Sequence, residues 1–135
     1  MSAKNVLWKY PWMVQKKDLL QLFRLSKING VARICFHQSP NDSLQAMLIV
    51  LKKSKRYDFH THTDKNEIYQ ILHGSLLIIE KSQEEVMINL SKFAASHHVV
   101  KKNIPHSVES LSKYSAFIEI SEGPFNPQKT IYKSS

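Results

Sequence analysis

SKRYDFHTHTDKNEIYQILHG, residues 54–74, is the stretch from which the fold can be read. His60 and His62 stand two residues apart, with Glu67 five further on and Gly74 closing an apolar run. Side chains on a strand alternate with period 2, so His60 and His62 share a face and Thr61 points away. The polar segment 63–66 can turn the chain and return Glu67 beside them on a neighbouring strand. Two imidazoles and a carboxylate converging from strands suit a borderline divalent metal.

Outside this stretch the texture is that of short strands. VARICFH (31–37), LQAMLIVLK (44–52), RYDFHTH (56–62), EEVMINL (84–90), HHVVKKNI (97–104), HSVESL (106–111) and SAFIEIS (115–121) are each β-prone and bounded by polar turns. EIYQILHGSLLIIEK (67–81) reads as two strands meeting at His73-Gly74. The nearly unbroken apolar run at 44–52 predicts a strand buried on both faces. About eight strands with no helix between them predict an antiparallel sandwich or barrel. The one helical pattern is DLLQLFRLSKING, with Leu19, Leu20, Leu22 and Phe23 on its apolar side, Asp18 as expected N-cap and Asn29-Gly30 as its stop. The fold class expected is therefore mainly all-β with a short N-terminal helix. A single domain over 1–135 is expected, divided into an N-terminal segment and helix (1–30), a barrel (31–121) and a surface tail (122–135).

Composition narrows the function classes. The 135 residues carry a formal net charge of +8, but their 19 Lys and Arg are scattered. No basic helix, zinc-finger spacing or stacking-aromatic pattern accompanies them, so no nucleic-acid partner is expected. The plainer reading is a solvated basic surface, and the alternative is a basic rim attracting an anionic small molecule such as a sugar phosphate or nucleotide. The lone cysteine, Cys35, lies in an apolar run and reads as buried filler. With no apolar run near 18 residues and no leader-like start, the expectation is a soluble, cytoplasmic protein with no membrane partner. The aromatics Trp8, Tyr10 and Trp12 are expected to pack on the domain or on a second subunit.

The spacing His60-x-His62-x4-Glu67-x6-Gly74 is similar to the first conserved motif of the cupin superfamily, with Ser54 where that pattern has its leading glycine. NIPHSVES resembles the second motif in shortened form. ARICFHQSPNDSLQAMLIVL, YDFHTH, the Glu67–Gly74 hairpin, HSVE and SEGPFNP together resemble the WbuC family of cupin fold metalloproteins, with Phe59 where that family has proline. The resemblance covers about residues 18–128. It implies a cupin jelly-roll barrel, one divalent ion (Fe, Mn, Zn or Ni), and ligands His60, His62, Glu67 and His106. His98 and His97 are substitutes for His106 should the register differ. It also places Arg33 and His37 in the family signature, and it implies a setting in bacterial surface-polysaccharide (O-antigen) synthesis.

Each residue has a plainer reading beside the functional one. The metal trio could instead form a hydrogen-bonded network in a metal-free cupin pocket. Arg33 either binds an anionic group or pairs with an acidic side chain. Arg33, His37 and Tyr57 are the substrate-binding candidates, and His37 and Tyr69 the candidate proton carriers. Glu119 is expected in a surface ion pair and His73 in solvent. Within a polysaccharide pathway, the expected reaction is isomerisation or epimerisation of a keto sugar, linked to a nucleotide. The alternatives are an Fe(II)-dependent dioxygenase and a non-enzymatic carbohydrate-binding module. A sugar or sugar nucleotide is the expected partner, and a homodimer the expected assembly.

Overall fold

The computed structural model describes residues 6–8, 14–53 and 56–132, so Ser54 and the aromatics Tyr10 and Trp12 lie outside the described residues. The described chain opens with strand β1 (Val6–Trp8) and helix α1 (Lys16–Asn29). Strands β2 (Val31–Cys35), β3 (Leu44–Lys52), β4 (His60–His62), β5 (Glu67–His73), β6 (Leu76–Lys81) and β7 (Glu85–Leu90) follow. The sequence continues through β8 (His97–Val100), β9 (His106–Ser110), β10 (Tyr114–Glu122) and β11 (Thr130–Tyr132). One sheet has the order β1-β2-β3-β10-β5-β8 and the other β11-β4-β9-β6-β7. All pairings are antiparallel except β1 with β2.

Register stratifies the interior into rows. Ile71, Phe117, Ile49 and Arg33 are cross-strand neighbours on the larger sheet. One step towards the mouth lies the row His98, Tyr69, Glu119, Met47 and Cys35, then Val100, Glu67, Ser121 and Gln45. The smaller sheet contributes Leu76, Ile78, Leu90 and Val108 to the apolar end, where they meet Phe117, Ile49 and Leu51 in one buried cluster. The barrel is thus filled with hydrocarbon at one end and lined by polar groups at the other.

Helix α1 covers the outer face of β2 and β3. Leu22, fully buried, packs with Ala32, Ile34, Leu48, Val50 and Ala116. From Leu48 to Leu51, β3 is buried on both faces, as its apolar run requires. The helix begins one turn earlier than expected, because Gln15 is the N-cap and Asp18 occupies the third helical position. From there the Asp18 carboxylate accepts the Gln15 N–H at 2.9 Å, which satisfies one of the donors left free at a helix start. Gly30 ends the helix at φ 84°, a left-handed conformation that glycine reaches without strain.

Two boundaries differ from expectation. The strand expected over 56–62 is only His60–His62; ahead of it Arg56 makes an isolated bridge to Glu109 and the Tyr57 N–H donates to the Val108 carbonyl. The tail also returns to the body. After the Gly123–Pro124 cis peptide and a short 3-10 turn at Pro127–Lys129, β11 pairs with β4 and completes the smaller sheet.

Candidate metal centre

Four side chains meet at the polar end of the barrel. His60 and His62 project from β4, His106 from β9 opposite His60, and Glu67 from the start of β5 in the other sheet. One ligand atom from each lies within 4.8 Å of every other, and all four residues are buried. Glu67 Oε1 is 3.1 Å from Nε2 of both His62 and His106.

The outer nitrogens of the rings are held from behind. Nδ1 of His60 donates to the Asp58 carbonyl at 2.8 Å, and Nδ1 of His106 to that of Ile104 at 2.9 Å. Nδ1 of His62 meets the Thr130 hydroxyl at 3.0 Å. A carbonyl can only accept, so His60 and His106 carry a proton on Nδ1 and present Nε2 inward. Backing of this kind fixes the tautomer and aim of histidine ligands in metal sites. Burial and then the neighbouring His106 push His60 down to about 4, which keeps its ring neutral. Burial alone would raise the Glu67 carboxyl, but hydrogen bonds from His106, His62 and Glu119 outweigh it and hold the group well below the usual carboxylate range. Three imidazoles and an ionised carboxylate on rigid strands form a donor set that fits a divalent transition ion. An ion bound there takes the place of the protons that the Glu67–histidine contacts otherwise need.

Above the four lies a cavity of about 500 Å³. Arg33, Tyr57, Glu119, Met47 and Cys35 line its wall, with His37, Lys65, Phe125, Pro127 and Tyr132 also bordering it. Arg33, His37 and Tyr57, the expected substrate-binding residues, therefore all reach it. His37 is half-buried, with Nδ1 3.0 Å from the Ala46 amide, and burial lowers its pKa.

Other residues fall elsewhere than expected. Tyr69 is fully buried beneath the site, donating from its hydroxyl to Glu67 Oε1 at 3.3 Å. It lies behind Glu67 and is not among the residues that line the cavity. Glu119, expected in a surface ion pair, is instead buried on the wall, where burial and then the Glu67 charge push its carboxyl up to about 8. The period-2 pattern of YSAFIEISE carried that signal, since Glu119 shares a face with Phe117. His98 pairs with Glu80 and His97 is exposed, which leaves His106 as the histidine beside the trio. His73 is exposed, as expected. Thr130 and Tyr132, whose ring centroid lies 5.8 Å from that of His60, had no local signal in the sequence.

Solved structures share this architecture. The chain superposes on the capsular polysaccharide assembling protein CapF from Staphylococcus aureus with a TM-score of 0.68 and 18% identity, covering 79% of this chain and 33% of CapF. KdgF from Halomonas sp. gives a TM-score of 0.60 at 17% identity, over 74% of this chain and 84% of KdgF. Oxalate decarboxylase from Bacillus subtilis gives 0.62 at 16%, over 76% of this chain and 27% of that enzyme. The chain thus spans about a third of the length of CapF. No family model and no curated protein matches the sequence. These neighbours are cupin-fold proteins, and the fold of this chain is the cupin jelly roll, mainly β with one helix.

Proposed function

We propose that this protein is a metal-dependent cupin of bacterial surface-polysaccharide synthesis that isomerises or epimerises a keto sugar linked to a nucleotide. The observation that carries the reading is the convergence of His60, His62, His106 and Glu67 within 4.8 Å at the base of a ligand-sized cavity. His60, His62, Glu67 and His106 would hold a divalent ion, which would supply Lewis acidity towards a carbonyl or hydroxyl of the ligand. His37, on the wall with Nδ1 fixed by Ala46, moves the proton between carbons. Phe125 and Tyr132 offer apolar faces to a sugar or base, and Lys65 offers charge to a diphosphate. The polysaccharide setting draws on the resemblance to the WbuC family and on the likeness to a capsular polysaccharide assembling protein.

The test is solvent exchange. Metal-loaded protein is incubated in D₂O with nucleotide-linked keto sugars, and deuterium entering the position next to the carbonyl is followed by NMR. Incorporation that disappears in His62→Ala is expected. No incorporation into any candidate sugar overturns the isomerase reading, and oxygen uptake in its place would favour the dioxygenase.

A further inference from the structure

Among the described residues, two side chains hold a buried polar atom with no partner, Nε of Arg33 and Oγ of Ser107. The two differ in kind. Ser107 is a neutral hydroxyl that does not line the cavity. Arg33 is a permanent cation and forms part of the cavity wall. Among the described residues its side chain makes one hydrogen bond, from a guanidinium nitrogen to the Tyr57 hydroxyl at 3.4 Å, long for a charged donor.

Arg33 is half-buried with its Nε shielded, and an arginine drawn into a barrel is ordinarily matched by a carboxylate, because an unmatched charge there gives up hydration without return. No carboxylate among the described residues lies within ion-pair distance of Arg33. Glu119 borders the same cavity and feels the Arg33 charge, but from beyond ion-pair distance. The position on the strand adds to the anomaly. Arg33 stands in register with Ile49, in the row that also holds Phe117 and Ile71, where apolar side chains fill the barrel. Its aliphatic stem lies on that row while the head reaches the cavity.

We propose that Arg33, with Tyr57, is an oxyanion subsite that takes a terminal carboxylate or phosphate of the ligand at the inner end of the cavity. The location selects a terminal group. Beneath Arg33 the barrel is closed by buried hydrocarbon, so a bridging diphosphate with a substituent on each side has nowhere to extend. The planar guanidinium matches either oxyanion bidentately, and the Tyr57 hydroxyl stands beside it to donate. This deepens the reading above and rests on it: the sugar unit bears its own anionic group, separate from any nucleotide diphosphate at Lys65.

The experiment titrates metal-loaded protein calorimetrically with D-glucuronate, D-glucose 6-phosphate and D-glucose, using wild type, Arg33→Gln and Tyr57→Phe. At least one anion is expected to bind about tenfold to a hundredfold tighter than glucose. Arg33→Gln should erase that margin and Tyr57→Phe reduce it, with bound metal per chain unchanged. The preferred anion distinguishes carboxylate from phosphate. Anions no tighter than glucose, or a margin that survives Arg33→Gln, overturn the proposal. Should Arg33→Gln not fold, Arg33→Lys decides: it keeps the charge without the fork, and an undiminished margin again overturns the subsite. Failure of the metal reading looks different, because protein that binds no metal yet retains an Arg33-dependent preference leaves the subsite standing.

Discussion

Thr130 Oγ1 lies 3.0 Å from Nδ1 of His62, so a residue of the last described strand backs a ligand candidate 68 positions earlier. If His62 ligates through Nε2, removing that hydroxyl frees the ring to rotate. Thr130→Val should weaken metal affinity by about 10- to 100-fold and Thr130→Ser should retain it, as read by competition with a chromophoric chelator. Equal affinities in the two variants would count against the positioning role.

The ligand set makes a second prediction. Elemental analysis should find one divalent ion per chain. At a hundred times its Kd that ion should stabilise the fold by about 2.7 kcal/mol, a gain that chelation reverses. His62→Ala should lose both the metal and the gain, whereas His97→Ala, altering an exposed residue, should lose neither. Metal loss in both variants would break the assignment.

Gly74 sits at φ 79° in the hairpin between β5 and β6, and a Cβ there would come 2.5 Å from the Tyr114 carbonyl oxygen. Gly74→Ala meets both a strained backbone and a backbone clash. It should lower stability by about 1–3 kcal/mol in a denaturant titration. An unchanged midpoint would show that the hairpin gives way.

Cys35 supplies a pH dependence. Burial, moderated by the nearby Arg33 charge, pushes its thiol up from 9.0 to about 11. Between those values the unfolded chain has released the thiol proton and the folded chain still holds it, so stability falls as pH rises through that window. Native protein should react slowly with a disulfide reagent at neutral pH, and Cys35→Ala should flatten the alkaline decline. Rapid labelling of the native thiol would contradict the burial argument.

Much of this was legible in the sequence, for a physical reason. His60, His62 and Glu67 are close along the chain, and the period of a strand fixes their common face without tertiary information. His106 was harder, because its place opposite His60 depends on how β4 and β9 pair. Glu119 was misread because a charged residue in an apolar strand usually marks the solvent face, and here the polar end of the barrel takes it instead. Thr130 and Tyr132 could not be read at all. Their contribution arises from a strand pairing at long sequence separation, which no local pattern encodes.

The stratified interior has a further consequence, one of traffic. Among the described residues hydrocarbon plugs one end of the barrel, so the cavity is a blind well open towards the polar end. Release and uptake therefore share one route. If the protein isomerises a sugar as proposed, a product that lingers blocks its successor and should inhibit competitively against the compound it came from.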